Sequence, residues 1–383
     1  MHILLFDMDH VLVEPNAYRK ALQETTAMIG RSLGYVRAPV LVQDIEAFET
    51  LGVTSEWDSA AICAALLLRD VWLAGMDYPL PERLPLEPMG RHTLPGPDIQ
   101  AFLRSESMQQ ALERPGLERA EQALCCEAAG LADWQAEAIR CLLRGARRMD
   151  GAITHRLFQE LVLGGDAFRS TYGIEPCIGG EGFIHRYDRP LLSSDTAAKL
   201  RSWLGQEDHT AAVFTNRPSA APDGSRGWPP EAEMGLQAAG LEGIPIAGLG
   251  GMQWLAKNRG LEPEALIKPS PVHALSALRI AIGTPLNSAL EGALDLESGG
   301  RRNPAWAQVH GAQVTVFEDS ARGLLSASGA QDKLAEVGVE LHLSLMGIAR
   351  GAEKKAALHS AEGRVYASTD EALAAVVGPR SRA

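Results

Sequence analysis

The feature that most constrains this 383-residue chain is a set of short, continuously apolar segments, each of which runs into a polar cluster. The segments cover residues 2–6, 211–214, 265–267 and 313–317. Continuous rather than alternating apolar residues are typical of parallel strands that are buried on both faces. Helical patterns separate the segments, as at 231–239 and 272–282. The sequence therefore predicts an α/β fold, with helices on both faces of a parallel sheet.

A long helical region interrupts this alternation after the first segment. Residues 15–204 are rich in Ala, Leu, Glu and Arg and contain few strand-like runs. Their main helical stretches lie at 17–33, 58–73 and 117–148. We therefore predict a discontinuous core domain (1–14 and 205–383) with a mainly α-helical domain (15–204) inserted after the first strand. A strand-like run at 339–345 and a helical pattern near 369–377 are expected to extend the core.

Charge and composition exclude several classes of function. The formal net charge is -12, whereas proteins that bind nucleic acid or anionic membranes through a general field carry a basic patch. Five cysteines without metal-site spacing favour reduced thiols. The longest apolar stretch, 60–68, is about half of the ~20 residues that a membrane span requires, and the N-terminus lacks a signal-peptide pattern. We expect a soluble, cytoplasmic protein with neither nucleic acid nor membrane as partner.

Two aspartates follow the first apolar segment. Alternation along the chain would place Asp7 and Asp9 on the same side as the chain leaves the sheet. Carboxylates at one strand end repel each other unless a cation lies between them, and Mg²⁺ prefers such oxygen ligands. Two loop acids that cap a helix are the alternative interpretation.

A hydroxyl and a lysine follow the second and third segments. Thr215, with Asn216 and Arg217 beside it, could donate to phosphoryl oxygens, although a threonine that caps a turn has the same pattern. Lys268 could neutralise a phosphate and the nucleophile beside it, although most lysines are solvated surface residues.

An acidic pair, Glu318 and Asp319, follows the fourth segment, where helix capping is again the simpler alternative. Together the four positions indicate a single binding site more strongly than any one of them does alone. In open α/β folds the carboxyl ends of parallel strands meet at one edge, where ligands bind.

In this order the motifs Asp7/Asp9, Thr215, Lys268 and Glu318/Asp319 resemble the four motifs of the haloacid dehalogenase superfamily. The phrases Glu318-Asp319-Ser320-x-x-Gly323 and Lys268-Pro269-x-Pro271 look similar to its β-phosphoglucomutase and phosphoglycolate phosphatase branch. The match covers the opening strand and residues 206–330; the insertion is assigned by position alone.

The resemblance implies a Rossmann-like core with a helical cap and a Mg²⁺-dependent phosphatase that acts on a small phosphorylated metabolite. Asp7 would be the nucleophile, and Asp9 the general acid and base. Mg²⁺ would be held by Asp7, the backbone carbonyl of Asp9, and Asp319 with help from Glu318.

The same resemblance implies that a second group of residues contacts the substrate. Thr215, Asn216, Arg217 and Lys268 would bind the phosphate, and Thr215 and Lys268 would also stabilise the charge that develops during transfer.

Departures from the family pattern leave alternatives open. His10 stands where the family usually has glycine, and the insertion looks longer than the usual cap. An extra loop or hairpin is expected around 286–313, where it could cover a contact between two subunits of a homodimer.

A phosphomutase with the same machinery, or a non-catalytic binding protein that kept the fold, remain as alternatives. A dehalogenase is disfavoured because that branch lacks the second aspartate and Mg²⁺.

Overall fold

The protein is described by a computed structural model, which covers residues 1–37, 40–53, 55–79, 84, 86–110, 112–126, 130–299 and 304–377. The chain divides into two compact units. The core unit comprises Met1–Pro15, Ser170–Gly173 and Asp188–Ala383, and the insertion unit comprises Asn16–Arg169 and Ile174–Tyr187.

The core unit contains a six-stranded parallel sheet and a separate two-stranded ribbon. The strands are β1 (His2–Phe6), β2 (Val13–Glu14), β3 (Arg189–Pro190), β4 (His209–Phe214), β5 (Ile246–Ala247), β6 (Gln313–Glu318), β7 (His342–Ile348) and β8 (Arg364–Tyr366). The sheet order is β5-β4-β1-β6-β7-β8, and β2 pairs antiparallel with β3. The first strand of the chain is therefore central, between β4 and β6.

The insertion unit is helical. Its helices are α1 (Asn16–Ser32), α2 (Val42–Thr50), α3 (Glu56–Leu73), α4 (Ile99–Leu103), α5 (Glu106–Gln109), α6 (Gly116–Cys125), α7 (Asp133–Arg144), α8 (Ile153–Leu163), α9 (Gly165–Tyr172, whose last residues belong to the core unit) and α10 (Phe183–Tyr187). Every residue of α3 from Asp58 to Leu68 is buried, because α1, α6, α7 and α8 pack around it. A helix that is apolar on all sides is expected in such a central position.

In the described part of the core unit, eight α-helices begin after the ribbon strand β3. They are α11 (Ser194–Leu204), α12 (Glu231–Ala238), α13 (Leu249–Arg259), α14 (Pro271–Ala281), α15 (Leu286–Glu297), α16 (Ala321–Glu336), α17 (Ala352–Ser360) and α18 (Thr369–Val377). Within the described ranges, every helix of the protein is too short or too polar to cross a membrane.

Alternation along β1 explains the layering. Ile3 and Leu5 point into one apolar cluster, which contains residues of α13 to α17, whereas Leu4 and Phe6 point into a second cluster with residues of α11, α12 and α18. Both faces of the strand are buried, as its continuous apolar sequence predicted. The predicted α/β class, with a three-layer core and a helical insertion after the first strand, is confirmed.

Two of the local predictions were wrong. Residues 265–267 do not form a strand: Pro263–Ala265 is a 3-10 helix, and the chain then turns into α14. Leu266 is buried there, so its apolar character reflects packing in a turn. Residues 286–297 form α15 rather than a loop or hairpin, because Ala289, Leu290 and Ala293 recur at helical spacing and are buried against the core.

The segment 188–204 lies in the core unit, whereas the predicted insertion extended to residue 204. Leu200 and Trp203 of α11 are buried in the cluster that contains Leu4 and Phe6. The sequence of α11 predicts a helix, but a helical pattern alone does not indicate whether the helix belongs to the insertion or packs on the sheet.

Candidate active site

Adjacent strands bring the polar motifs to one edge of the sheet. Asp7 directly follows β1, Thr215 directly follows β4, and Glu318 ends β6. Because β4, β1 and β6 are neighbours in register, their carboxyl ends lie side by side. Lys268 reaches this edge from the turn before α14 rather than from a strand.

A lysine joins two of the acids. Lys268 Nζ donates to Asp7 Oδ1 at 2.8 Å and to Glu318 Oε2 at 2.6 Å, and all three residues are buried. Burial alone would lower the pKa of Lys268, but the two carboxylates outweigh this effect and the pKa is raised. The ammonium also lies 4.1 Å from the centre of the Phe214 ring. Lys268 is therefore held as a cation at the edge of the sheet.

Three carboxylates offer a site for a metal ion. One oxygen each from Asp7, Glu318 and Asp319 lie within 4.8 Å of one another. Burial raises the pKa of Glu318 and of Asp319, and the charge of Asp7 adds to both shifts. The ammonium of Lys354 contacts Asp319 Oδ2 and partly opposes the shift there. A buried cluster of hard oxygen donors that repel each other fits a divalent cation such as Mg²⁺.

The motif at 318–323 fixes the carboxylate of Glu318. Ser320 Oγ donates to Glu318 Oε1 at 2.8 Å and accepts from the backbone N–H of Gly323 at 3.2 Å, which caps the start of α16. A Cβ atom at Gly323 would overlap the Glu318 carboxyl group. Glycine is thus required by the close approach of this carboxylate to the first turn of α16.

The hydroxyl predicted to bind phosphate is buried at the end of β4. Thr215 Oγ1 accepts from the backbone N–H of Arg217 at 3.1 Å, so its O–H can serve as a donor in another direction. Asn216 between them is exposed. The Arg217 side chain, predicted to contact substrate, is instead wholly enclosed.

Asp9, the predicted general acid, lies beside Arg217. Its Oδ1 is 2.9 Å from Arg217 Nη2, although the angle does not make a hydrogen bond. Burial raises the pKa of Asp9 to about 6; Arg217 opposes the shift and Asp7 adds to it. A carboxyl group with such a pKa can act as an acid and as a base near neutral pH.

Asp188 is a residue that sequence reasoning missed. It directly precedes β3, and its Oδ2 accepts from Arg217 Nη2 at 2.9 Å, with neither side chain exposed. A single aspartate before Arg189-Pro190 carries no local signal, so only the tertiary structure reveals this contact.

His10 has a backbone conformation that glycine adopts more readily than other residues. Its φ is 62°, in the left-handed region where histidine is less rare than most non-glycine residues. The turn is closed by the N–H of His10, which donates to the carbonyl of Val13 at 2.8 Å.

Comparisons with known proteins show the fold. No family model matches the sequence, and no curated protein matches it. The chain is similar to an X-ray structure of a Northeast Structural Genomics Consortium target, with a TM-score of 0.66 and 16% identity over 97% of each chain. Two weaker likenesses are a phosphatase from Thermococcus thioreducens (TM-score 0.43, 14% identity, 94% of this chain and 100% of that chain) and a haloacid dehalogenase-like family hydrolase from Streptococcus pneumoniae (0.31, 11%, 98% of each). The last two are too weak to carry an argument about activity.

Proposed function

We propose that this protein is a Mg²⁺-dependent phosphatase of the haloacid dehalogenase superfamily that hydrolyses a small phosphomonoester through an aspartyl-phosphate. The observation that carries the proposal is the convergence of Asp7, Lys268, Glu318 and Asp319 at the carboxyl end of the central strands. Their order along the chain is the order of the four superfamily motifs.

Asp7 would attack phosphorus in the first displacement. One of its oxygens accepts from Lys268, which leaves the other for the new O–P bond. As the bond from phosphorus to the leaving oxygen breaks, Asp9 would donate its proton to that oxygen. Lys268 and Thr215 would stabilise the charge that develops on the phosphoryl group.

Water would release the phosphate in the second displacement. Asp9, now a carboxylate, would take a proton from the water that attacks phosphorus of the aspartyl-phosphate. The O–P bond to Asp7 breaks, and inorganic phosphate and the starting carboxylate result. A pKa of about 6 at Asp9 suits this alternation between acid and base.

The proposed metal ligands differ in their existing bonds. Both oxygens of Glu318 already accept hydrogen bonds, from Lys268 and from Ser320. We therefore assign Mg²⁺ mainly to Asp7, Asp319 and the backbone carbonyl of Asp9, with Glu318 in support. When bound, Mg²⁺ would supply positive charge between these acids and the phosphate.

A cavity beside the site favours a small substrate. It has a volume of about 210 Å³, and its lining includes His10, Glu14, Arg350, Lys354 and Ser368. Lys354 links the cavity to the carboxylate cluster through its contact with Asp319. This volume lies below the range of about 300–1,000 Å³ that is typical of pockets for drug-sized ligands.

Release of phosphate from a panel of esters tests the proposal. The purified protein would be incubated with each ester, with Mg²⁺ or with a chelator. Asp7→Asn should abolish release, whereas Asp195→Asn, at an exposed position in α11, should not change it. Release that persists in Asp7→Asn would contradict the assignment of the nucleophile. Activity that appears only with a catalytic bisphosphate would favour the phosphomutase alternative.

A further inference from the structure

We infer that Asp188 and Arg217 form a buried positioning pair that holds the side chain of Asp9 where it can protonate the leaving oxygen. The inference rests on the proposed function, in which Asp9 is the general acid. Arg217, which was predicted to contact the substrate, would instead affect the reaction by holding Asp9.

The geometry of Arg217 distinguishes its two carboxylate neighbours. Arg217 Nη2 donates to Asp188 Oδ2 at 2.9 Å with hydrogen-bond geometry. The same nitrogen lies 2.9 Å from Asp9 Oδ1 without that geometry. Asp188 therefore anchors the guanidinium by a charge-assisted hydrogen bond, and the anchored guanidinium in turn attracts the Asp9 carboxyl by charge.

Exposure separates the same groups. The side chains of Arg217 and Asp188 are both 0% exposed, whereas that of Asp9 is 29% exposed. Of these three residues, only Asp9 can contact a substrate that enters from solvent. Arg217 and Asp188 lie behind it, where they can hold its carboxyl in position.

The surroundings of Arg217 prevent it from swinging out to bind a phosphate. A Cβ atom at Gly235 would lie 2.6 Å from Arg217 Nη1 and 2.8 Å from the sulfur of Met8, so α12 packs directly against the guanidinium. On the other side, the backbone N–H of Arg217 is tied to Thr215 Oγ1. The arginine is thus fixed between β4 and α12, as a positioning role requires.

Asp188 and Asp9 also lie close in sequence to the two-stranded ribbon of the core unit. Asp188 directly precedes β3, and β3 pairs with β2, the last strand before the insertion begins. Asp9 forms an isolated bridge with Val13 at the start of β2. Arg217 therefore connects the general acid to the point where the chain returns to the core.

Two substrates with different leaving groups test the inference. p-Nitrophenol leaves as a stable anion and needs little protonation, whereas the alkoxide of an alkyl phosphate needs a proton from the acid. Asp9 would also serve as the base in the second displacement of both esters, so the comparison uses kcat/KM, which reports only the first displacement. Loss of general acid catalysis costs about 10²–10⁴-fold, so a mispositioned Asp9 should lower kcat/KM for the alkyl ester by about 10–100-fold. For p-nitrophenyl phosphate kcat/KM should fall by less than about 3-fold, because its leaving group needs little help from the acid.

The variants would be Asp188→Asn, which keeps the size of the side chain, and Arg217→Lys, which keeps the charge but replaces the planar guanidinium with a compact ammonium. Asp9→Asn gives the reference pattern, and Asp195→Asn is the control. In the double variant Asp188→Asn/Asp9→Asn the two effects should not add, since both act through one proton donor.

Equal losses of kcat/KM on both esters, or additive losses in the double variant, would overturn the inference in favour of a purely structural ion pair. If the wild-type protein hydrolyses neither these two esters nor any other ester of the panel, the proposed function fails instead. Crystal structures of wild type and Asp188→Asn would then decide the positioning role: a displaced Asp9 carboxyl supports it, and an unchanged one refutes it. The structures also decide the matter if Arg217→Lys fails to fold.

Discussion

Lys268 Nζ lies 2.8 Å from Asp7 Oδ1, although 261 positions separate the two residues in the sequence. The same ammonium lies 2.6 Å from Glu318 Oε2. One buried cation thus holds together acids from two neighbouring strands, and its removal should affect both stability and catalysis.

We expect Lys268→Met to lower kcat by about 10²–10³-fold, the usual effect of losing one group that stabilises transition-state charge. Without metal it should also lower the free energy of unfolding by about 3–5 kcal/mol, because Asp7 and Glu318 would be buried without their cation. Steady-state kinetics and thermal unfolding in chelator measure the two effects. Lys333→Met, on the surface of α16, is a control; unchanged kinetics in Lys268→Met would contradict the role.

Mg²⁺ should stabilise the folded protein if the three carboxylates bind it. A ligand at about 100 times its Kd adds about 2.7 kcal/mol to the free energy of unfolding, so Tm should rise with Mg²⁺. Asp319→Asn should abolish most of this rise, whereas Asp332→Asn, at an exposed position of α16, should keep it. Titration calorimetry gives an independent reading. An equal rise in Tm for both variants would exclude Asp319 as a ligand.

Gly323→Ala should impair the site through Glu318. The added methyl group would overlap the Glu318 carboxyl, including Oε2, the oxygen that accepts from Lys268, so the carboxyl must shift and disturb this contact. We expect loss of at least about 1–3 kcal/mol of stability from overpacking, together with a lower kcat. Gly205→Ala is the matched control, since a Cβ there meets its nearest atom at 3.5 Å and the backbone is helical. Wild-type kinetics in Gly323→Ala would show that the position of Glu318 is unimportant.

His273 should make the protein less stable in acid. Burial, with help from the charge of Lys268, lowers its pKa to about 3, from a usual value of 6.5. Between these values the unfolded chain binds a proton that the native state does not. The free energy of unfolding should therefore fall by about 1.4 kcal/mol per pH unit as pH decreases below 6.5.

The variant His273→Gln should remove this contribution while it keeps a donor for the Ala247 carbonyl, which His273 Nε2 meets at 2.8 Å. Unfolding between pH 7 and pH 4 would be compared with wild type and with His359→Gln, at an exposed position. A slope that His273→Gln leaves unchanged would assign the acid sensitivity to other groups.

The sequence predicted the strands that carry Asp7, Thr215 and Glu318, because strand ends in a parallel sheet converge whatever lies between them. Lys268 was predicted at the same edge of the sheet because residues 265–267 were expected to form a strand, which they do not. A three-residue apolar run cannot distinguish a buried turn from a strand, and here it is Leu266 that packs inside the turn.

Two other features differ in the local signal that they carry. The spacing of Ala289, Leu290 and Ala293 is helical, but the long gap between Lys268 and Glu318 favoured an extra loop or hairpin. Asp188 reaches Arg217 only through the tertiary fold, so no periodicity could indicate it. Roles for the site residues remain predictions that the experiments above address.

The central position of β1 has a consequence for synthesis on the ribosome. Its two partners in the sheet are β4, from His209, and β6, which ends at Glu318. A ribosome that has just made β1 must therefore add the whole insertion before the first partner emerges, and about 100 residues more before the second. Because domains generally fold as units during translation, we expect the insertion to fold within this interval. Through this interval the apolar residues of β1 stay unpaired on the nascent chain, so chaperone protection should matter most before residue 318 is made.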